Sequence, residues 1–236
     1  MIDATPDFRE QLHRLDELWP ADAPAPGLTG LFLTHGHMGH VSGLLHLGEE
    51  GIGAHAVPVW AMPRLTRTLH DAALWGRLSR EGHIVWRGLA AGAPVPLSDT
   101  LAVVPLVVPH RGEAGETIAF RVDGPGRSVL VLPDIDGWLG LVPPIEELVE
   151  AVDVAYLDGT FYDEAELRGR DQSGIPHPTM LGTMERLGAL PAAVRRRVRF
   201  THLNHTNPAL DRAGPAAAAV LASGYDLAVE GEITPL

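Results

Sequence analysis

The chain has 236 residues, with 18 basic against 30 acidic side chains for a formal charge of −12, and it contains neither cysteine nor lysine. Without cysteine there are no disulfides, thiol nucleophiles, iron–sulfur clusters or thiolate zinc sites; without lysine there is no Schiff base and no P-loop lysine. So acidic a chain also argues against a nucleic-acid phosphate backbone as the main partner, because that contact depends on clustered cations.

At this length the chain can bury a core of its own, and no repeat, linker or compositional break divides it, so a single domain over 1–236 is expected. No apolar run approaches a membrane span. The acidic N-terminus lacks the basic and apolar regions of an export signal, so a cytoplasmic protein with no membrane partner is the default.

In chain order, residues 1–4 read as the tail of a strand. Thr5-Pro6 then opens a helix with an N-cap and a proline at its first position, and Phe8, Leu12, Leu15 and Trp19 share one face. Residues 20–27 form a Pro/Ala/Gly loop, and a strand over 28–34 runs into Thr34-His35-Gly36-His37-Met38-Gly39-His40. Leu44, Leu45 and Leu47 mark a helical turn. A strand at 56–60 follows, then a helix begun by Pro63 that carries Leu65, Leu69, Ala72 and Ala73. Short strands fit 83–86, 95–97 and 101–108. Strands 117–122 and 128–132, joined by Asp123-Gly124-Pro125-Gly126, form a hairpin. A helix near 144–151 precedes a strand at 153–157, a loop rich in charge and glycine covers 163–178, and a helix fits 179–189. A strand at 198–203, a helix at 214–222 and a strand at 226–230 close the chain. Arg195, Arg196, Arg197 and Arg199 read as a solvated edge.

Strand after strand ends on a potential ligand: His35, His37 and His40, then His110, Asp134, Asp158 and His202. In layered α/β folds, sites assemble from the loops at strand ends. Neutral imidazole is the commonest protein ligand for zinc-like metals. Histidines at i, i+2 and i+5 cannot share a helix face, but they can converge where a strand breaks into a tight loop. A carboxylate at Asp134 has two lone-pair faces and can bridge two cations. Asp136 fits a turn residue or a partner to a ligand. Asp158 can accept a ligand histidine's free N–H and fix its tautomer. His205, three residues past His202, is a partner group, a proton shuttle or a loop histidine. His177 either reaches into a cleft or does nothing, and His13, His46, His55, His70 and His83 are assigned to the surface.

This order of features resembles the metallo-β-lactamase superfamily, whose motif is His-x-His-x-Asp-His, then a later His, a bridging Asp and a final His. His35, His37 and His40 match the motif, and His110, Asp134 and His202 are similar to the later members. Four stretches resemble the pyrroloquinoline-quinone (PQQ) biosynthesis protein B branch. They are Asp3-Ala4-Thr5-Pro6-Asp7-Phe8-Arg9, Thr34 to His40, Leu157-Asp158-Gly159-Thr160-Phe161 and His202-Leu203-Asn204-His205-Thr206-Asn207-Pro208. The resemblance implies an α/β fold, a four-layer αβ/βα sandwich with its metals at one edge. The family's first strands and cysteine-rich zinc knot are absent, so either the start is truncated or this is a shortened relative with an incomplete first sheet. Gly39 stands where most of the superfamily has an aspartate that ligates the second metal.

The resemblance implies zinc, as one or two ions, with iron or manganese as alternatives. His35, His37 and His110 would hold one cation; His40, Asp134 and His202 would hold a second, with Asp134 between them. Two such cations ~3.5–4 Å apart activate water and clamp a phosphoryl or acyl oxygen. The expected function is therefore metal-dependent hydrolysis of a small phosphodiester or ester, with Asp134, Asp158 and His205 as catalytic candidates. With Gly39 unable to take a proton, Asp136, Asp158 or His205 must. The competing reading is an iron-dependent oxygenase or a maturation step in cofactor or peptide-derived metabolite biosynthesis. Gly39 supports it and Asp134 counts against it. A binding module holding only a structural metal fits the retained strand-end ligands least. The expected partner is a small-molecule substrate, and a homodimer is left open.

Overall fold

The computed structural model describes residues 1–18, 27–166 and 175–236. Trp19, most of the expected loop at 20–27 and the middle of that at 163–178 lie outside the described residues. The chain divides into two units, Met1–Ala93 with Gly112–Ile118, and Pro94–Arg111 with Ala119–Leu236.

The first unit runs α1 (Phe8–Leu18), β1 (Leu31–Phe32), α2 (Met38–Val41), a 3₁₀ turn (Ser42–Leu47), β2 (Val57–Ala61), α3 (Pro63–Asp71), α4 (Ala73–Arg80) and β3 (Ile84–Gly88). Its sheet has the order β1-β2-β3 and is parallel, with Leu31 opposite Val59 and Val59 opposite Trp86. Ile2 adds a parallel bridge to Phe32. The expected strand at 28–34 is regular only over Leu31–Phe32 because its flanks serve other contacts. Gly30 passes so close to Trp60 that a Cβ would lie 2.5 Å from the ring, and Thr34 turns its N–H to the Asp3 carboxylate. Thr5-Pro6 precedes α1 by a turn instead of capping it: the Phe8 N–H donates to the Thr5 carbonyl, and the helix starts at Phe8.

The single helix expected from Pro63 onward breaks at Ala72, which is extended. Gly76 explains the break, since only a bare backbone fits there; a Cβ would sit 2.0 Å from the His70 carbonyl oxygen. Trp75 then donates its indole N–H to the Val41 carbonyl at 2.9 Å and ties α4 to the end of α2. Phe8 is wholly buried and enters because Gly43 has no side chain, a Cβ there lying 2.5 Å from both the Phe8 Cβ and the Thr5 carbonyl oxygen. Gly43→Ala is expected to destabilise the protein by about 1–3 kcal/mol through overpacking, measured as a lower denaturant midpoint at unchanged slope.

The second unit holds β4 (Val95–Pro96), β5 (Ala102–Val107), β6 (Ile118–Asp123), β7 (Ser128–Leu132), α5 (Ile145–Glu150), β8 (Val154–Asp158), α6 (Met180–Leu187), α7 (Ala192–Arg195), β9 (Val198–Thr201), a 3₁₀ turn (Pro208–Leu210), α8 (Pro215–Ala222) and β10 (Asp226–Leu227). Ile118, the first residue of β6, belongs to the first unit. The sheet order is β10-β9-β8-β7-β6-β5-β4. β6 and β7 are the expected antiparallel hairpin, and β7 to β10 are parallel, each step crossing through a helix. Leu130, Leu132, Ala155, Leu157, Val198 and Phe200 are each 0% exposed, as strands covered on both faces require. The register aligns Leu132 with Leu157 and Leu157 with Phe200. The loops after β7, β8 and β9 therefore leave from one edge of this sheet, the edge on which α/β folds build sites.

Two expectations change here. Arg195 donates to the carbonyls of Gly188 and Leu190, Arg197 donates to those of Glu150 and Val152, and Arg199 pairs with Glu232. These arginines hold the segments that follow α6 and α5 and the segment around Glu232, and are not merely solvated. The expected strand at 198–203 stops at Thr201, because His202 takes a left-handed backbone with φ of 60°. Among the described residues no helix is long and apolar enough to cross a membrane.

Candidate metal centre

In the first unit, Asp3 and Thr34 organise the histidines. Asp3 is 4% exposed and, at φ 58°, has a left-handed backbone. Its carboxylate accepts the Thr34 N–H at 2.7 Å and the Thr34 hydroxyl at 2.8 Å, and it meets His40 Nδ1 at 2.7 Å. A carboxylate only accepts, so Nδ1 of His40 carries a proton, and in the neutral imidazole Nε2 is the open nitrogen. The same reasoning passes through Thr34, whose single hydroxyl proton goes to Asp3. Its oxygen must then accept from His35 Nδ1, 3.0 Å away, which makes Nε2 the open nitrogen of a neutral His35 as well. His35 Nε2 and His37 Nδ1 face each other at 3.0 Å, while His37 Nε2 points to Glu113 at 3.5 Å. Two nitrogens on a tetrahedral zinc ion stand about 3.3 Å apart, so the pair has the spacing of ligands to one cation. Gly36 belongs to this geometry, since a Cβ there would lie 2.5 Å from that of Ala114. At Gly39, by contrast, a Cβ would meet nothing within 4 Å. The carboxylate absent there is not excluded by space.

In the second unit, Asp134, Asp158, His110, His177 and His202 gather where β7, β8 and β9 end. The imidazole of His110 is enclosed, its Nδ1 2.6 Å from Asp136 Oδ1 and 3.4 Å from Asp134 Oδ1. Asp136 therefore stands as the carboxylate partner of His110. Asp158 is 0% exposed and accepts the N–H groups of Ile135 at 3.0 Å and Thr160 at 2.9 Å. Its histidine partner is His177, at 2.8 Å. Asp134, Asp158 and His177 present ligand-type atoms within 4.8 Å of one another. Burial alone would lower the His177 pKa. The hydrogen bond and charge of Asp158, with the charge of Asp134 3.4 Å away, outweigh burial and the opposing Arg111, so the pKa is raised. The His202 ring lies 6.2 Å from that of His177, and its Nδ1 is 2.9 Å from the Thr160 hydroxyl.

His35, His37 and His40 thus gather in one unit and His110, Asp134 and His202 in the other, while His205 is exposed on the turn after β9. Two contributors were given no definite role by the sequence, His177 being left between reaching into a cleft and doing nothing. Asp3 was visible only as part of a resembling stretch. His177 carried one signal, its place between Pro176 and Pro178, which restricts the backbone and favours an extended segment. His83, assigned to the surface, is 7% exposed with Nδ1 2.9 Å from the Ala54 carbonyl oxygen. These sets of imidazoles, buried carboxylates and hydrogen-bonded outer partners suit a divalent cation.

Residues 1–203 match the model of the β-lactamase superfamily domain. The coenzyme PQQ synthesis protein B of Methylobacterium sp. is 31% identical over 98% of this chain and 81% of its own length. Zinc-bound PqqB from Methylobacterium extorquens superposes over 100% of this chain and 82% of its own, at 20% identity and a TM-score of 0.81. A diphosphatase of the PhnP family superposes over 98% of this chain and 77% of its own, at 24% identity and a TM-score of 0.60.

Proposed function

The chain belongs to the metallo-β-lactamase superfamily and groups with coenzyme PQQ synthesis protein B, and from that premise we propose that it is a metal-dependent hydrolase of a small phosphodiester or ester. In this reading residues 1–236 act as one catalytic domain. His35, His37 and His110 would hold one divalent cation and His40, Asp134 and His202 a second, zinc being the best match to a nitrogen-rich set. When bound, such cations supply Lewis acidity and acidify water.

The residues themselves account for the proton. The observation that carries the hydrolytic reading is the Asp158–His177 pair set against Asp134. A hydrolase must protonate its leaving oxygen, and a histidine whose charged form is favoured by a hydrogen-bonded carboxylate and a second carboxylate beside it is suited to that. Both Asp158 oxygens are engaged, by two backbone N–H groups and His177. Asp158 thus acts through His177, orienting it and favouring its charged form. His205, exposed three residues beyond His202, would exchange the proton with solvent. The formal charge of −12 favours a small substrate over a nucleic-acid polymer.

Gly39 favours a second reading, because a site short of one carboxylate resembles the few-ligand iron centres that use oxygen. Metal analysis of protein purified without added metal, joined to an assay with bis(p-nitrophenyl) phosphate, separates the two. Two zinc or manganese ions per chain with turnover is the expected result. One iron per chain with oxygen uptake and no turnover overturns hydrolysis in favour of the oxygenase.

A further inference from the structure

The stretch from His202 to Pro208 contains a buried amide that the proposed chemistry does not use. Asn207 is 2% exposed. Its Oδ1 accepts the Ala209 N–H at 2.9 Å, which caps the short 3₁₀ turn. Its Nδ2 donates elsewhere, to the Gly159 carbonyl at 2.8 Å and the Thr160 carbonyl at 3.3 Å. Gly159 is pressed against β9, its N–H donating to the Thr201 carbonyl at 2.8 Å; a Cβ there would lie 2.9 Å from the Phe200 Cβ. The peptides on either side of Thr160 are thereby fixed, and its hydroxyl sits 2.9 Å from His202 Nδ1.

His202 needs such a tether. Thr201 is the last residue of β9 paired to β8, and at φ 60° the His202 backbone has left the ladder. The pleat of the sheet therefore no longer aims its ring. If Nε2 is to face a cation, Nδ1 must carry the proton and find an acceptor. The Thr160 oxygen is in place to accept it.

We infer that Asn207 is a positioning residue for His202, acting through the Gly159–Thr160 peptides and the Thr160 hydroxyl to hold the imidazole in its Nδ1–H tautomer. The inference rests on His202 being a metal ligand, as proposed above. The substitution Asn207→Asp separates the amide's two duties. The new side chain could still accept from Ala209, but its carboxylate would confront two carbonyl oxygens with nothing to donate.

The test is zinc affinity of the full chain by chelator competition, with the visible spectrum of the cobalt-loaded protein as a local readout. Asn207→Asp and Thr160→Val are each expected to weaken zinc binding about ten- to a hundred-fold, as loss of a partner outside the ligand shell does. Both should alter the cobalt spectrum, and Thr160→Ser should restore both properties. The double variant should bind no more weakly than the worse single, because both act along one route. Wild-type affinity in Thr160→Val, or additive losses in the double variant, would overturn the inference. Should Asn207→Asp not fold, Thr160→Val against Thr160→Ser decides alone. His202→Ala distinguishes the two levels. If it binds zinc like the wild type, the ligand assignment and this inference both fall. If it loses zinc while Thr160→Val does not, only this inference does.

Discussion

Replacing Asp3 with alanine is expected to destabilise the protein by about 3–5 kcal/mol, because it strips a buried charged acceptor from its donors. The Thr34 N–H, the Thr34 hydroxyl and His40 Nδ1 all lie 2.7–2.8 Å from its oxygens. None of the three has water to turn to, since Asp3, Thr34 and His40 are all buried. Asp3→Asn is the more informative variant. Its amide oxygen can still accept the Thr34 N–H, so the fold is largely kept. Its NH₂ then faces the Thr34 hydroxyl and His40 Nδ1, and both must become acceptors. The proton of His40 moves to Nε2. Thr34, now accepting from position 3, no longer favours the Nδ1–H form of His35. Two imidazoles, one from each proposed cation site, would thus turn a protonated nitrogen towards their cations, and zinc affinity should fall about ten- to a hundred-fold. Titration with a chelator checks this, alongside a denaturation curve. Unchanged zinc binding in Asp3→Asn would mean that Asp3 supports the fold but does not set the tautomers.

What the sequence revealed and what it hid follow one physical division. The candidate ligands were legible because they sit at strand ends, where an apolar run stops abruptly: Leu33 before Thr34-His35, Leu132 before Pro133-Asp134, Phe200 before Thr201-His202. The parallel block β7 to β10 was legible as apolar strands separated by helical patterns. The outer partners were not, because nothing in local sequence says that Asp3 reaches His40, 37 residues away, or that Asp158 meets His177. Such pairings are set by register and packing. The broken helix at Ala72 and the short β1 failed for a related reason. Gly76 and Gly30 matter for what packs against them, His70 and Trp60, and periodicity along the chain carries no record of that. The arginine cluster misled through charge alone, since its side chains reach back to carbonyls that only the folded chain brings near.

Asp134→Ala is expected to lower hydrolysis on the order of a thousand-fold or more, which corresponds to about 4 kcal/mol of transition-state stabilisation. Two losses act together. The second unit gives up the oxygen donor that a cation needs beside neutral imidazoles, so zinc content per chain should fall with the rate. His177 also loses one of the two anions that raise its pKa. Asp134→Asn helps to separate these, because it keeps the shape and one carbonyl oxygen but removes the charge. The sign is fixed by the direction of the shift. His177 is raised in the folded wild type, so its charged form contributes stability below its unfolded pKa, and that contribution is lost as pH rises through the folded value. A rate that needs the imidazolium falls over the same upper interval. Without the Asp134 charge the folded pKa of His177 drops towards its ordinary value, and the alkaline limb of the rate profile must move to lower pH. A profile of kcat against pH for zinc-saturated Asp134→Asn measures that displacement. A limb that stays in place while activity collapses would show that Asp134 acts as a ligand alone and that the His177 charge has no part in the rate.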